Sequence, residues 1–392
     1  MKPSQISPTK SDRGFLYSCR SIEFDAQCYY RHNLNLYEIK TIFYSLNSTG
    51  ETIYHGAFIV GKDRNMKLIK ILIATLGCLF ALSAQAGFYI ANGVLYEGNG
   101  HPFKIRGINH AHTWYVDRLN HALDGIAATG ANTVRIVLSN GQRWNKNRAA
   151  DVANVIRQAK ARHLITVLEV HDTTGFGEQA QAASLDSAAD YWIELKEQLI
   201  GQEDYVIINL GNEPMGNGVN TNVWSNDHIH AIQRLRKAGL THTLMVDAPN
   251  WGQDWQQIML NHAHSVFDAD PLRNTIFSVH MYQVYRDYPT VNNYITTFLN
   301  QGLALVVGEF GASHQGADVA EDAIMERAET LNIGYIGWSW SGNNQDVADL
   351  DIVNHWDNNS YSEWGNILIN GVNGIRSTST PATIFTCGAS CQ

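Results

Sequence analysis

The sequence predicts a single (β/α)8 barrel of the α/β class, and three observations lead there. Eight short apolar, strand-like runs recur between Phe103 and Trp338. Stretches of helical spacing lie between them: Val152, Val155, Ile156 and Ala159 of Ala149–His163 fall at i, i+3, i+4 and i+7, on one face. No glycine-rich fingerprint follows the first run, so the parallel sheet implied by the alternation reads as a closed barrel and not as a doubly wound, nucleotide-binding sheet.

The chain has 392 residues, 44% of them hydrophobic and 10% aromatic, enough for one large core, and a formal charge of -9. That acidity argues against nucleic acid or an anionic membrane as partner. Residues 1–65 show no sustained periodicity and hold Cys19 and Cys28. They read as a translated upstream leader without regular structure, with Met66 the true start. Residues 66–86, MKLIKILIATLGCLFALSAQA, have the three parts of a secretory signal peptide: Lys67 and Lys70, an apolar run from Ile71 to Leu82, and Ala84-Gln85-Ala86 before a cleavage point. The run is shorter than the roughly 20 residues a spanning helix needs. Cys78 sits mid-run, not at its end as a lipoprotein cysteine would. The mature protein is therefore expected outside the cell, with no membrane association after cleavage. Residues 1–86 hold ten of the 28 Lys/Arg and six of the 37 Asp/Glu, so residues 87–392 carry 18 against 31, or -13.

From Gly87 the chain reads as a hairpin turning at Asn92-Gly93. The eight strand runs are Phe103–Ile108, Thr133–Leu138, Ile165–Val170, Tyr205–Leu210, Thr243–Val246, Thr275–Val279, Ala304–Val307 and Gly334–Trp338. Helical patterns occupy Ala149–His163, Asp186–Ile200, Asp227–Ala238, Val291–Leu299 and Val319–Leu331, and Gly130 and Gly239 suit helix carboxyl-terminal caps. Residues 87–386 thus form one barrel domain, and 387–392 a short tail. Cys387 and Cys391 in that tail could close a small disulfide loop in an oxidising compartment; the alternative is two free thiols, of little consequence for function.

A barrel keeps its active site at the carboxyl ends of its strands. There the runs end on Asn109-His110, His171-Asp172, Asn212-Glu213, Asp247 with Asn250-Trp251, His280-x-Tyr282, Glu309 and Trp338-x-Trp340, with Arg135 inside the second. The fourth run, YVIINLGNEP, stops on Asn209, Asn212 and Glu213, and Pro214 forbids continuation of the ladder. Glu213 and Glu309, each set in apolar sequence, supply the two carboxylates that glycosidic cleavage needs: one protonates the leaving oxygen, the other attacks or activates water. The nucleophile must be ionised, which calls for donors such as Arg135 and the Tyr282 hydroxyl. Trp114, Trp251, Trp338 and Trp340 sit at or beyond strand ends, where flat rings bind the C–H faces of sugars. Among 16 histidines the H-x-H pairs are His110/His112, His228/His230 and His262/His264; the second lies in a helix, where i and i+2 diverge. No HExxH and no G-x-S-x-G occurs, so zinc-protease and serine-hydrolase readings fall away.

The ordered set RGINHAHTWY, VRIVLSN, LEVHD, INLGNEP, DAPNWGQD, FSVHMY, VVGEFG, GWSWSGN and WGNILINGVNGIR resembles glycoside hydrolase family 5, and within it the bacterial endo-β-1,4-mannanases, from Phe88 to Phe385. The resemblance implies a retaining, cofactor-free and metal-free enzyme, with Glu213 as acid/base, Glu309 as nucleophile, and Arg135, His171, Asn212, His280, Tyr282 and Trp338 in support. In that scheme Asn212 bonds the sugar 2-hydroxyl and Trp338 floors the cleavage point. It also implies a mannan-type substrate (mannan, glucomannan or galactomannan); the protein is expected to act as a monomer. A glucanase or xylanase on the same barrel, and a non-catalytic carbohydrate-binding barrel, are the alternatives; the second would require damage at a carboxylate, and none is visible.

Overall fold

A computed structural model of the chain describes residues 18–22, 25–32, 35–42, 56–60 and 87–386. Residues 66–86, expected to be a signal peptide, and the Cys387/Cys391 pair lie outside the described residues. In the leader, Ser18–Ile22, Asp25–His32, Asn35–Ile42 and Gly56–Val60 pair in chain order as an antiparallel sheet. The segments are rich in aromatic and β-branched residues, and the two longest are joined by only Asn33-Leu34, so antiparallel pairing needs no long-range alternation.

The second unit is built on a closed barrel of eight parallel strands: β1 Arg106–His110, β2 Thr133–Leu138, β3 Ile165–Val170, β4 Val206–Asn209, β5 Leu244–Asp247, β6 Thr275–Met281, β7 Leu305–Phe310 and β8 Gly334–Gly337. Helices α1 Leu119–Ala128, α2 Ala149–Ala161, α3 Leu185–Glu194, α4 Thr221–Lys237, α5 Ile258–Ala269, α6 Tyr288–Leu299, α7 Glu321–Thr330 and α8 Glu363–Asn370 follow the strands in turn. Where strands and helices alternate this way, the helices cover the sheet and the fold is the (β/α)8 barrel. Among the described residues no helix is long and apolar enough to cross a membrane.

Strand β1 begins three residues later than its apolar run, because Pro102 and Phe103 pair instead with the amino-terminal hairpin of Tyr89–Ala91 and Val94–Tyr96. That hairpin turns at Asn92 and Gly93, both at positive φ, as a two-residue turn requires. The run Asp186–Ile200 is divided, with Leu195 between α3 and a short turn at Lys196–Leu199.

Alternation along each strand sorts its side chains into two cores. Leu168 and Val170 of β3 join the apolar shell between barrel and helices, while Ile165 and Val167 enter the lumen cluster with Ile207, Met245, Ile276, Val306 and Ile336. Along β3, β4 and β5 the lumen series is apolar at the amino-terminal end and turns polar two residues on: Glu169 follows Val167, Asn209 follows Ile207, and Asp247 follows Met245. The apolar floor thus supports a polar layer directly above it.

Candidate active site

Arg135 organises that polar layer. Its next lumen neighbour along β2, Val137, packs with Tyr282 and Trp338, and Arg135 itself is fully buried. All five guanidinium N–H groups have acceptors: Nε donates to Asn209 Oδ1 (2.9 Å), Nη1 to Asn109 Oδ1 (3.0 Å) and Glu309 Oε1 (2.7 Å), Nη2 to Asn212 Oδ1 (2.7 Å) and Asp247 Oδ2 (3.2 Å). Burial alone would lower the Arg135 pKa, but the Glu169, Glu309 and Asp247 charges raise it above its ordinary value. It is a permanent cation tying its own strand β2 to β1, β4, β5 and β7.

Glu309 reaches this cation through a bulge. Pairing of β6 with β7 runs Val279↔Val307 and then His280↔Glu309, so Gly308 is extra. A Cβ on Gly308 would lie 2.2 Å from Ser278 Oγ, which leaves glycine as the residue that fits. Strict alternation would put Gly308 in the lumen and Glu309 outside; the extra residue brings Glu309 inward as well. Its Oε1 takes the Arg135 bond and its Oε2 accepts from the Tyr282 hydroxyl at 2.9 Å. Burial holds the Glu309 pKa above its ordinary value, with the Glu213 charge adding to the rise and the His280, Arg135 and His171 charges pulling against it. One donor on each oxygen favours the carboxylate form.

Glu213 is held differently. Its backbone lies in the left-handed region, φ 39°, uncommon for a residue with a side chain and a feature that gathers at functional sites. The turn is locked by its N–H on Asp247 Oδ2 (3.3 Å) and its C=O accepting from Gly175 N–H (3.0 Å). Glu213 Oε1 lies 2.8 Å from His280 Nδ1. His280 is also 3.6 Å from Glu309 Oε2 and 3.2 Å from Asp247 Oδ2. Burial would discharge His280, but Glu309 and Asp247 raise its pKa to about 10. Asp247, which burial would push up, is in turn held well below the carboxylate range by His280 and Arg135.

One oxygen each of Glu213 and Glu309 and one His280 nitrogen lie within 4.8 Å of one another, the one cluster among the described residues compact enough for a cation. Coordination requires a neutral imidazole. A His280 held protonated by two carboxylates is instead a proton-holding partner.

The carboxylates open into a cleft of about 750 Å³ lined by Trp114, Trp251, Trp338, His171, Asn212 and Tyr282 among others. Trp338 is fixed by its indole N–H on Asn343 Oδ1 (2.9 Å) and stacks near-parallel on His171, centroids 5.8 Å apart. His171 lies 2.9 Å from Glu169. Burial disfavours its charge, yet Glu169 raises its pKa above the usual value.

Trp340 is a correction: expected in the cleft, it is fully buried in the shell between barrel and helices. Its ring lies against α1, where a Cβ on Gly125 would come within 2.3 Å of it. The chain bends after β8, so residues 338 and 340 do not share a face. Conversely, Glu169, Trp144 and Trp255 were not singled out from sequence. Glu169 had a visible signal, a lone acid within the apolar run ITVLEV; Trp255, exposed in the cleft with its N–H on Asn217, lies in a loop without periodicity.

A closed (β/α)8 barrel with two carboxylates facing each other in an aromatic-walled cleft defines a glycoside hydrolase. The family model Cellulase (glycosyl hydrolase family 5) matches residues 96–344. The chain is 56% identical over 323 residues to a mannan endo-1,4-beta-mannosidase of Cellvibrio japonicus (strain Ueda107), covering 82% of this chain and 75% of that one. It is 52% identical to the mannan endo-1,4-beta-mannosidase of Streptomyces lividans, covering 80% and 83%. The mannohexaose complex of Thermomonospora fusca beta-mannanase superposes with a TM-score of 0.74 at 53% identity, over 76% of this chain and 99% of that one. The chain belongs to glycosyl hydrolase family 5.

Proposed function

We propose that the protein is a secreted, retaining endo-β-1,4-mannanase acting on mannan, glucomannan or galactomannan as a monomer. The observation that carries the retaining half is the spacing of the two carboxylates. Their nearest oxygens lie within 4.8 Å, whereas an inverting pair stands about 6.5–9.5 Å apart to admit a water. The mannan preference is supported by the mannan endo-1,4-beta-mannosidase relatives and the mannohexaose-bound neighbour, and export by the signal-peptide pattern of residues 66–86.

In the first step Glu309, ionised between Arg135 and Tyr282, attacks the anomeric carbon while the leaving oxygen takes a proton from Glu213. The bond to the leaving sugar breaks and a glycosyl ester forms on Glu309. In the second step Glu213, now the base, removes a proton from water, whose oxygen displaces Glu309 and restores both groups. His280, 2.8 Å from Glu213, adjusts to its changing charge. Asn212 has its Oδ1 held by Arg135 and one amide hydrogen on Thr174 Oγ1 (2.9 Å), which leaves the second hydrogen for the sugar 2-hydroxyl. Trp338 supplies the flat floor.

The test is reducing-end release on mannan, carboxymethyl cellulose and xylan, with Glu309→Ala as control. Release should be greatest on mannan and fall about 10⁴-fold or more in the variant. Proton NMR of the first product should show the β-anomer. Equal release on cellulose would overturn the mannan reading, and an α-anomer the retaining one.

A further inference from the structure

The barrel domain begins in a confined place. A Cβ on Gly87 would lie 2.3 Å from Glu203 Cβ, and its φ is 100°, so glycine alone fits. The next residue is clamped: Phe88 N–H donates to Glu203 O (3.1 Å), and Phe88 O accepts from Thr243 Oγ1 (2.8 Å) and Asn274 Nδ2 (2.9 Å). The Gly87 nitrogen is thereby fixed against the Asp204 carboxylate, which accepts its N–H. Gly98 closes the other side; a Cβ there would lie 2.8 Å from Asp204 Oδ1 and 3.1 Å from Gly87 N.

The surrounding charge is one-sided. Asp204 is flanked by Glu203 and Glu97, and burial together with those two carboxylates raises its pKa. Glu97 is taken up by Thr383, whose N–H and hydroxyl both lie 2.7 Å from its Oε2. Glu203 accepts from Thr241 Oγ1 (3.3 Å) and faces His242 at 4.0 Å. Lys160, the cation that acts on Asp204, is directed to Gln202 (2.9 Å) and lies over the Tyr205 ring. Asp204 makes no ion pair among the described residues. One positive charge at the Gly87 nitrogen would complete the cluster, and the sequence places the small-x-small triplet Ala84-Gln85-Ala86 directly before it.

We propose that the chain is cut between Ala86 and Gly87, and that the amino group released on Gly87 seats on the Asp204 carboxylate, completing the base of the barrel. The cut is a hydrolysis by the exporting cell's signal peptidase. Water's hydroxyl goes to the Ala86 carbonyl carbon and its proton to the Gly87 nitrogen, which at neutral pH takes up a further proton from solvent. The buried amide dipole becomes an ammonium against the Asp204 carboxylate, so the cut strengthens the domain that begins at Gly87. This rests on the export reading and is independent of the mannan reading.

The sign is set by the amine. Asp204 raises its pKa above the unfolded value of about 7.7–8.0, so its contribution is complete below that range and is lost as the pH rises through the folded value. The experiment exports the full 392-residue chain from a bacterial host, sequences the product's amino terminus, and melts it beside uncut chain made by cell-free synthesis without peptidase. The exported product should begin at Gly87. In it Asp204→Asn should lower Tm by about 2–4 °C at pH 6 and leave it unchanged at pH 10, while in uncut chain the same substitution should be silent at both. A different first residue, an Asp204→Asn effect equal in cut and uncut chain, or one that persists at pH 10 would overturn the proposal. Mannan hydrolysis, measured on every sample, should be unaffected by Asp204→Asn; its absence throughout would count against the activity reading alone.

Discussion

The two ends of the barrel each bury an arginine completely, and they bury it for opposite purposes. At the carboxyl-terminal end Arg135 meets only side chains: three amide oxygens and the carboxylates Glu309 and Asp247. At the amino-terminal end Arg106 donates to the backbone carbonyls of Ile105 (3.0 Å) and Ile333 (2.9 Å), to Thr378 Oγ1 (2.8 Å) and to Glu329 Oε2 (2.6 Å), and lies 4.2 Å over the Tyr335 ring. Glu329 is partly exposed. Arg106 therefore has its pKa lowered, burial outweighing Tyr335 and Glu329, whereas Arg135, between buried carboxylates, has its pKa raised. Backbone acceptors make a joint that holds strand ends together. Side-chain acceptors make a poised charge array, because carboxylates can still react.

Arg135→Lys should show the largest effect. Lysine keeps the charge but offers one donor point where five directed N–H groups are in use, so Glu309 and Asn212 lose fixed orientation. The expected loss in kcat/KM on mannan is about 10³-fold, with a folded circular-dichroism spectrum. A loss under tenfold would show that the array tolerates a point charge and would remove the distinction between the two arginines. Arg106→Met is its counterpart. It removes the buried donor to the Ile333 carbonyl and the partner of Glu329, and should cost about 3–5 kcal/mol in denaturant unfolding while leaving kcat/KM within about twofold. A catalytic loss in the folded Arg106→Met protein would mean that the base transmits strain to the site.

The carboxyl-terminal array should also carry its own pH signature. His280 titrates in the folded state at about 10, above an unfolded value of about 6.5. A raised pKa contributes stability that is complete below the unfolded value and is lost as pH climbs through the folded one. Unfolding free energy should therefore decline between about pH 6.5 and 10, and His280→Asn should flatten that decline. Urea melts of both proteins at pH 6, 8 and 10 measure it; parallel declines would assign the alkaline loss to other groups.

Much of this was legible in sequence because buried parallel strands are apolar on both faces. Thr133–Leu138 and Ile165–Val170 match β2 and β3 to the residue. Glu213 and Glu309 were visible as acids terminating such runs. What was hidden depends on geometry that spacing does not encode. The extra residue at Gly308, which brings Glu309 into the lumen, leaves no mark beyond one glycine among many. Helix α5 was not read from Ile258–Ala269, where histidines and asparagine interrupt the apolar stripe, and α4 begins six residues before its expected start at Asp227.

Trp338 and Trp340 give the smallest and sharpest version of the comparison, since one residue separates a cleft wall from a core filler. Trp338 borders the carboxylates and presents a face to the cleft, with His171 stacked against it. Trp340 presents nothing to the cleft: it is fully buried, and its indole N–H has no partner among the described residues. Replacing that ring by phenylalanine removes an unsatisfied donor along with some volume, so the two effects partly offset. Trp340→Phe should then cost only about 1 kcal/mol in stability and leave KM for mannohexaose unchanged. Trp338→Phe should leave stability nearly intact and weaken kcat/KM about tenfold, because a smaller ring covers less of the sugar and the anchoring bond to Asn343 is lost. Isothermal unfolding and steady-state kinetics on the pair separate the roles. A KM change in the Trp340 variant would return that residue to the cleft, where its position two residues beyond Trp338 had first suggested it belonged.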